Sequence, residues 1–165
     1  MQSKNEDEEE DEDEEEVRHP PLLGLPHRPP FVFVKDLLTT DPGVSAECST
    51  SFDPDDPMFA GHFPGNPLVP GVILTEALAQ TAGIAAASGY PENGRPLFLL
   101  SAIRNMKFHR AVLPGEQIHL RAEKLAQVGE LLQFAVKATV AGTLVAEGQL
   151  VLSLARTHAG SDVPE

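Results

Sequence analysis

The stretch from Ala60 to Gly89, AGHFPGNPLVPGVILTEALAQTAGIAAASG, constrains the rest of the chain most strongly. Its first half, Gly61 to Gly71, is a loop stiffened by Pro64, Pro67 and Pro70. Its second half, Val72 to Ser88, contains no proline, is rich in Ala, Leu and Ile, and predicts one helix of about 26 Å at 1.5 Å per residue. Gly89 fits a stop signal at its C-terminal end. The only polar side chains before Ser88 are Thr75, Glu76, Gln80 and Thr81. A helix without a wide polar face is a buried helix. A carboxyl on such a helix is costly unless paired or neutral, so Glu76 needs a partner or a function. Burial favours its uncharged form. His62, 14 residues upstream, is the nearest candidate partner, reached within the chain or from a second subunit.

The flanking sequence predicts strands. Phe31 to Leu38 is β-branched and aromatic, and Asp41-Pro42-Gly43 is a turn leading into a return strand over Val44 to Ser51. Asp53 to Pro57 is a loop, with a short helical turn starting at Pro54 or Asp55 and running to Phe59. After the helix, Tyr90 to Pro96 is a loop. Leu97 to Phe108 is apolar on both faces at its start, which predicts a central strand covered on both sides. Ile118, Leu120 and Ala122 alternate with polar residues, as do Leu132, Phe134, Val136, Ala138 and Val140. Ala141-Gly142 is a tight hairpin turn into a last strand reaching about Ala155, with Leu144, Ala146, Leu150, Leu152 and Leu154 on one face. One apolar helix among strands is an α+β pattern, a curved antiparallel sheet wrapped around the helix. One sheet cannot enclose a helix, so a second copy of the chain is expected to close the open side, giving at least a homodimer.

Charge and cysteine content narrow the class. The 165-residue chain has a formal charge of −13, but eleven of its 25 acidic residues form the unbroken run Glu6–Glu16. Outside that run, 14 acidic residues face 12 basic ones. The charge therefore belongs to a tail, read as a disordered segment over residues 1–20, followed by one domain over 21–156 and a flexible terminus over 157–165. The N-terminus has no apolar core of the secretory kind. Val72 to Ala87 is too short and too polar for a membrane span, so a cytoplasmic protein without a membrane partner is expected. Basic residues are scattered and aromatics few, which points away from nucleic acid. The single cysteine, Cys48, excludes an intrachain disulfide and reads as a small buried hydrophobe.

The string His62-Phe63-Pro64-Gly65-x-Pro67-x-x-Pro70-Gly71-Val72-x-x-x-Glu76-Ala77-x-Ala79-Gln80 resembles the signature of the bacterial 3-hydroxyacyl-[acyl-carrier-protein] dehydratases of type II fatty-acid synthesis. Leu25-Pro26-His27-Arg28-Pro29-Pro30-Phe31 resembles that family's opening segment. Lys107-Phe108-His109-Arg110-Ala111-Val112-Leu113-Pro114-Gly115-Glu116 resembles its later strand and turn. The similarity spans about residues 25–155, with the three segments in the family's order. Asn66 stands where a basic residue or His is common, and Ala111 where Pro is common.

The resemblance implies the hotdog fold and removal of water from a 3-hydroxyacyl thioester to give the trans-2-enoyl thioester. That reaction needs a base for the C2 proton, an acid for the departing hydroxyl and a donor for the carbonyl oxygen. His62 can supply the base, and Glu76 can supply the acid or orient the hydroxyl; a single histidine that takes and returns the proton is the other division of roles. Gly71, at the helix start, can supply a free backbone N–H, as the resemblance also implies. Phe63, Pro70 and Val72 complete the expected substrate-binding set. The family pairs the histidine of one subunit with the acid of the other, and its substrate arrives on the phosphopantetheine arm of acyl carrier protein. Glu rather than Asp at position 76 resembles the branch that dehydrates without isomerising.

The remaining histidines carry less. His27 reads as structural, His109 and His119 as surface positions, and His158 as tail. No pair has metal-ligand spacing with a supporting carboxylate, so neither metal nor cofactor is expected. Lys107, Arg104 and Arg110 form either a solvated edge or a contact for the acidic carrier. Two alternatives remain open: a hotdog acyl thioesterase, and an idle carrier-binding hotdog subunit.

Overall fold

The computed structural model describes residues 22–155, so the acidic run, the C-terminal segment and the domain limits drawn there lie outside the described residues. The elements are β1 (Asp36–Asp41), β2 (Ser45–Thr50), α1 (Met58–Gly61), α2 (Gly71–Ala87), β3 (Phe98–Phe108), β4 (Ile118–Val128), β5 (Leu131–Val140) and β6 (Thr143–Leu154). The six strands form one antiparallel sheet in the order β1-β2-β4-β5-β6-β3. It curves around α2, which packs mainly on β4 and β2. This is the hotdog arrangement expected from the sequence.

The helix is buried because its sequence offers water almost nothing. Leu74, Ala77, Leu78, Ala82, Ile84 and Ala85 lie in the core with Ile118, Leu120, Ala122, Phe134 and Val136 of β4 and β5. The inward set read from alternation in β5, Leu132 to Val140, is buried throughout. Polar residues on α2 are satisfied locally: Thr75 donates to the Gly71 carbonyl at 2.8 Å and Thr81 to the Ala77 carbonyl at 2.9 Å. Cys48 is fully buried, and burial pushes its thiol up to about 11. At the β5–β6 hairpin Ala141 and Gly142 both take positive φ, the geometry a two-residue turn needs to follow strand twist.

Several expectations need correction. Strand structure begins at Asp36, not Phe31. The backbone of Phe31 and Phe33 bonds the Gln80 side chain instead of a neighbouring strand. The short helix starts at Met58, because Asp53 and Asp56 cap the turns before it by accepting from the Asp55 and Met58 N–H groups. The β6 alternation breaks at a bulge, so that Val145 and Ala146 are both buried. Gly89 is not a left-handed stop: a Cβ there would lie 3.0 Å from the Gly43 Cα, so its small size serves a close backbone approach.

The largest correction concerns β3, which is an edge strand and not a central one. Leu99, Leu100, Ile103 and Phe108 are about half exposed. Apolar residues on both faces predict a covered strand, but periodicity does not set a strand's place in the sheet, and among the described residues β3 pairs only with β6.

Candidate active site

The loop before α2 is wired residue by residue. The His62 carbonyl accepts from the Leu68 N–H at 2.9 Å, and Phe63 and Asn66 exchange both backbone hydrogen bonds. The Val69 N–H reaches across to the Val112 carbonyl. His62 is thus presented from a small closed hairpin. Its ring stacks on Phe63, with centroids 4.1 Å apart. Its Nδ1 lies 3.0 Å from the Leu68 carbonyl oxygen. A carbonyl only accepts, so Nδ1 carries the hydrogen, and in the neutral ring the lone pair is then on Nε2.

Pro70 is the N-cap of α2, and its carbonyl takes the N–H groups of both Ile73 and Leu74. The N–H groups of Gly71 and Val72 precede the first intrahelical bond and sit at the positive end of the helix dipole. Gly71 packs under the Phe108 ring so closely that a Cβ would lie 3.1 Å from it. Val72 is 76% exposed and Phe63 about half exposed. His62, Phe63, Pro70, Gly71 and Val72 therefore lie together around the leading end of α2.

Glu76 lies one turn further along. It is only partly buried, with 22% of its side chain exposed. Its Oε1 accepts from Gln80 Nε2 at 3.2 Å and lies 3.6 Å from His27 Nε2. Among the described residues no hydrogen bond or ion pair joins Glu76 to His62 within the chain. Of the two routes to that pairing, the one inside a single chain is not realised.

Two residues at the carboxyl were given no part in the chemistry from sequence, where His27 read as structural. Gln80 is 1% exposed and uses its whole amide: Oε1 accepts from the Phe33 N–H at 2.9 Å, while Nε2 donates to the Phe31 carbonyl and to Glu76. Its signal was available, since a glutamine four residues after a lone glutamate shares its helix face. His27 arrives from 49 residues upstream, and no spacing rule points to it. The two line a cavity of about 60 Å³ with Glu76, whose floor is Ala79, Gly83 and Ala87 of α2 and whose walls include Leu25, Phe98, Leu100 and Leu152. A wider groove of about 440 Å³ on the outer face is lined by charged residues including Lys107, Arg121, Glu123 and Glu147, and neither His62 nor Glu76 borders it.

Three of the other polar candidates are occupied. His109 lies 3.1 Å from Glu147, His119 lies 3.1 Å from Glu47, and Arg110 pairs with Glu116. Burial raises the Glu47 carboxyl, but Arg121 and His119 outweigh it and hold the group below its usual value. Among the described residues no cluster of three or more His, Cys, Asp or Glu side chains could hold a metal ion. No helix among them is long and apolar enough to cross a membrane.

A six-stranded antiparallel sheet curved on one long buried helix defines a hotdog protein. The family model described as ApeI-like, ApeI dehydratase, matches residues 39–149. The 3-hydroxyacyl-[acyl-carrier-protein] dehydratase FabZ of Acetivibrio thermocellus is 40% identical over 134 residues, 81% of this chain and 91% of that one. FabZ of Ruminiclostridium cellulolyticum is 38% identical over 132 residues, 80% and 92% of the two chains. The dehydratase heterocomplex ApeI:P from Xenorhabdus doucetiae aligns with a TM-score of 0.70 at 18% identity, over 85% of this chain and 94% of that one, a likeness of fold. The chain belongs to the hotdog-fold dehydratase family of the bacterial FabZ and ApeI type. It is a hydro-lyase.

Proposed function

We propose that the chain dehydrates 3-hydroxyacyl chains carried on acyl carrier protein to the trans-2-enoyl products, with His62 as base and Glu76 as acid. The observation that carries this reading is the contact between His62 Nδ1 and the Leu68 carbonyl. Nδ1 is committed to the Leu68 carbonyl, and the free Nε2 lone pair can take the C2 proton. Glu76 then gives a proton to the C3 hydroxyl, which leaves as water. The Gly71 N–H offsets the charge that gathers on the thioester oxygen during proton removal. The cavity beside Glu76 offers room for the start of the acyl chain, along a helix face made of Ala79, Gly83 and Ala87.

Since His62 and Glu76 do not meet within one chain, the working site combines His62 of one protomer with Glu76 of its partner. The exposed edge strand β3, with Leu99, Leu100, Ile103 and Phe108, favours a second copy paired along that edge. Acyl carrier protein as the physiological donor is carried over from the FabZ relatives, and a cytoplasmic setting is consistent with it.

The test follows hydration of a crotonyl thioester by loss of enoyl absorbance. His62→Ala and Glu76→Gln should each lose at least about a hundredfold in kcat while remaining folded dimers. Mixing the two inactive variants should restore activity, because one of the two sites in a mixed dimer regains both residues. Release of free thiol would favour the thioesterase alternative. Full rate in Glu76→Gln, or an active monomer by native mass, would refute the shared acid–base pair.

A further inference from the structure

We propose that His27 is a positioning residue for Glu76, whose Nε2–H holds the carboxyl at Oε1 so that the transferable proton sits on Oε2. The proposal rests on the reading of Glu76 as the acid.

Gln80 sets the geometry first. Its amide cannot turn over, because Oε1 takes the Phe33 N–H and Nε2 gives to the Phe31 carbonyl. The nitrogen facing Glu76 is therefore a donor, and Glu76 Oε1 must accept. In its protonated form, a carboxyl that accepts at Oε1 carries its proton on Oε2, the oxygen left for substrate.

His27 adds a second nitrogen on the same oxygen, at 3.6 Å. Its Nδ1 is buried and has no partner. With the hydrogen on Nε2, that orphan is a bare lone pair; with the hydrogen on Nδ1, it is an unpaired buried N–H, the rarer and costlier case. The ring thus points Nε2–H at Glu76. The separation is an ion-pair distance and too long for a hydrogen bond. Such contacts are often long without substrate and tighten in the complex.

The backbone around the ring is clamped. Leu25 is buried, and the Arg28 guanidinium donates to the carbonyls of Leu25 and His27 at 3.1 and 2.7 Å. The ring faces Phe31, with centroids 6.1 Å apart. When Glu76 gives up its proton it becomes a carboxylate, and hydrogen bonds to a charged acceptor are stronger than to a neutral one. The His27 donor therefore gains strength as the proton leaves, which raises kcat and leaves substrate binding nearly unchanged.

The test uses the full chain and the crotonyl thioester assay, with kcat and KM measured separately. His27→Leu should lower kcat about tenfold, the scale of one hydrogen bond to a charged group, with little change in KM. His27→Gln sets its amide nitrogen near the place of Nε2 and should recover most of the rate. His27→Asn sets it near Nδ1, where no acceptor waits, and should not. In the Glu76→Gln background, assayed at raised enzyme concentration, His27→Leu should cost nothing further. Wild-type kcat in His27→Leu, equal rates for the Gln and Asn variants, a loss confined to KM, or a full additional loss in Glu76→Gln would each overturn the role. Glu76→Gln at wild-type rate would remove the acid and His27's role together. A slow Glu76→Gln beside a fast His27→Leu would sink His27 alone.

Discussion

Gln80→Leu is the most informative single substitution. The leucine is nearly the same size, so the change removes polar contacts with little change in volume. Three hydrogen bonds disappear: Phe33 N–H to Oε1 at 2.9 Å, and Nε2 to the Phe31 carbonyl and to Glu76 Oε1, both at 3.2 Å. At about 1 kcal/mol net for each, with some penalty for groups left unpaired beside a side chain only 1% exposed, the loss comes to about 2–4 kcal/mol. For a domain of this size that lowers Tm by about 6–12 °C, at about 3 °C per kcal/mol. Thermal melts at one fixed protein concentration read the shift, so that any self-association affects both proteins alike. Gln80→Met, flexible and with no donor and only a weak acceptor, should fall by a similar amount. A Gln80→Leu protein melting within about 2 °C of wild type would show that the amide's bonds carry no net stability. It would also show that segment 31–33 is held by something other than this side chain.

Three further outcomes follow from particular contacts. Gly148→Ala should destabilise by about 1–3 kcal/mol in urea titrations, because the new Cβ would lie 2.9 Å from the Met106 Cα and 3.2 Å from the Arg104 carbonyl on β3. Ile103→Glu, at a residue 53% exposed on the β3 edge, should give a monomer without activity in native mass spectra and the crotonyl assay if the proposed dimer pairs along β3; an intact, active dimer would place the interface elsewhere. The Cys48 thiol has its folded value raised from 9.0 to about 11, so its contribution to stability is full below pH 9 and is lost as pH rises towards 11. That decline should vanish in Cys48→Ala, and a thiol reagent at pH 8 should label Cys48 only on unfolding.

The fold was legible where pattern and cover belong to the same chain. An apolar helix with one acid could only be a buried helix, and Leu132 to Val140 alternated as a strand with one face on that helix. The loop's prolines marked His62 as a presented side chain. What Gly71 packs against was not legible, because Phe108 reaches it from 37 residues downstream.

Sequence alone determined the helix, the inward faces of the middle strands, and which residue types could do acid–base chemistry, since these depend on local period and the cost of burying charge. Tertiary structure decided who meets whom. It put β3 at the edge, gave Gln80 to the backbone of Phe31 and Phe33, and set His27 rather than His62 beside Glu76 in the single chain. Those outcomes depend on contacts between segments far apart in the chain, which close only when the sheet curls around the helix.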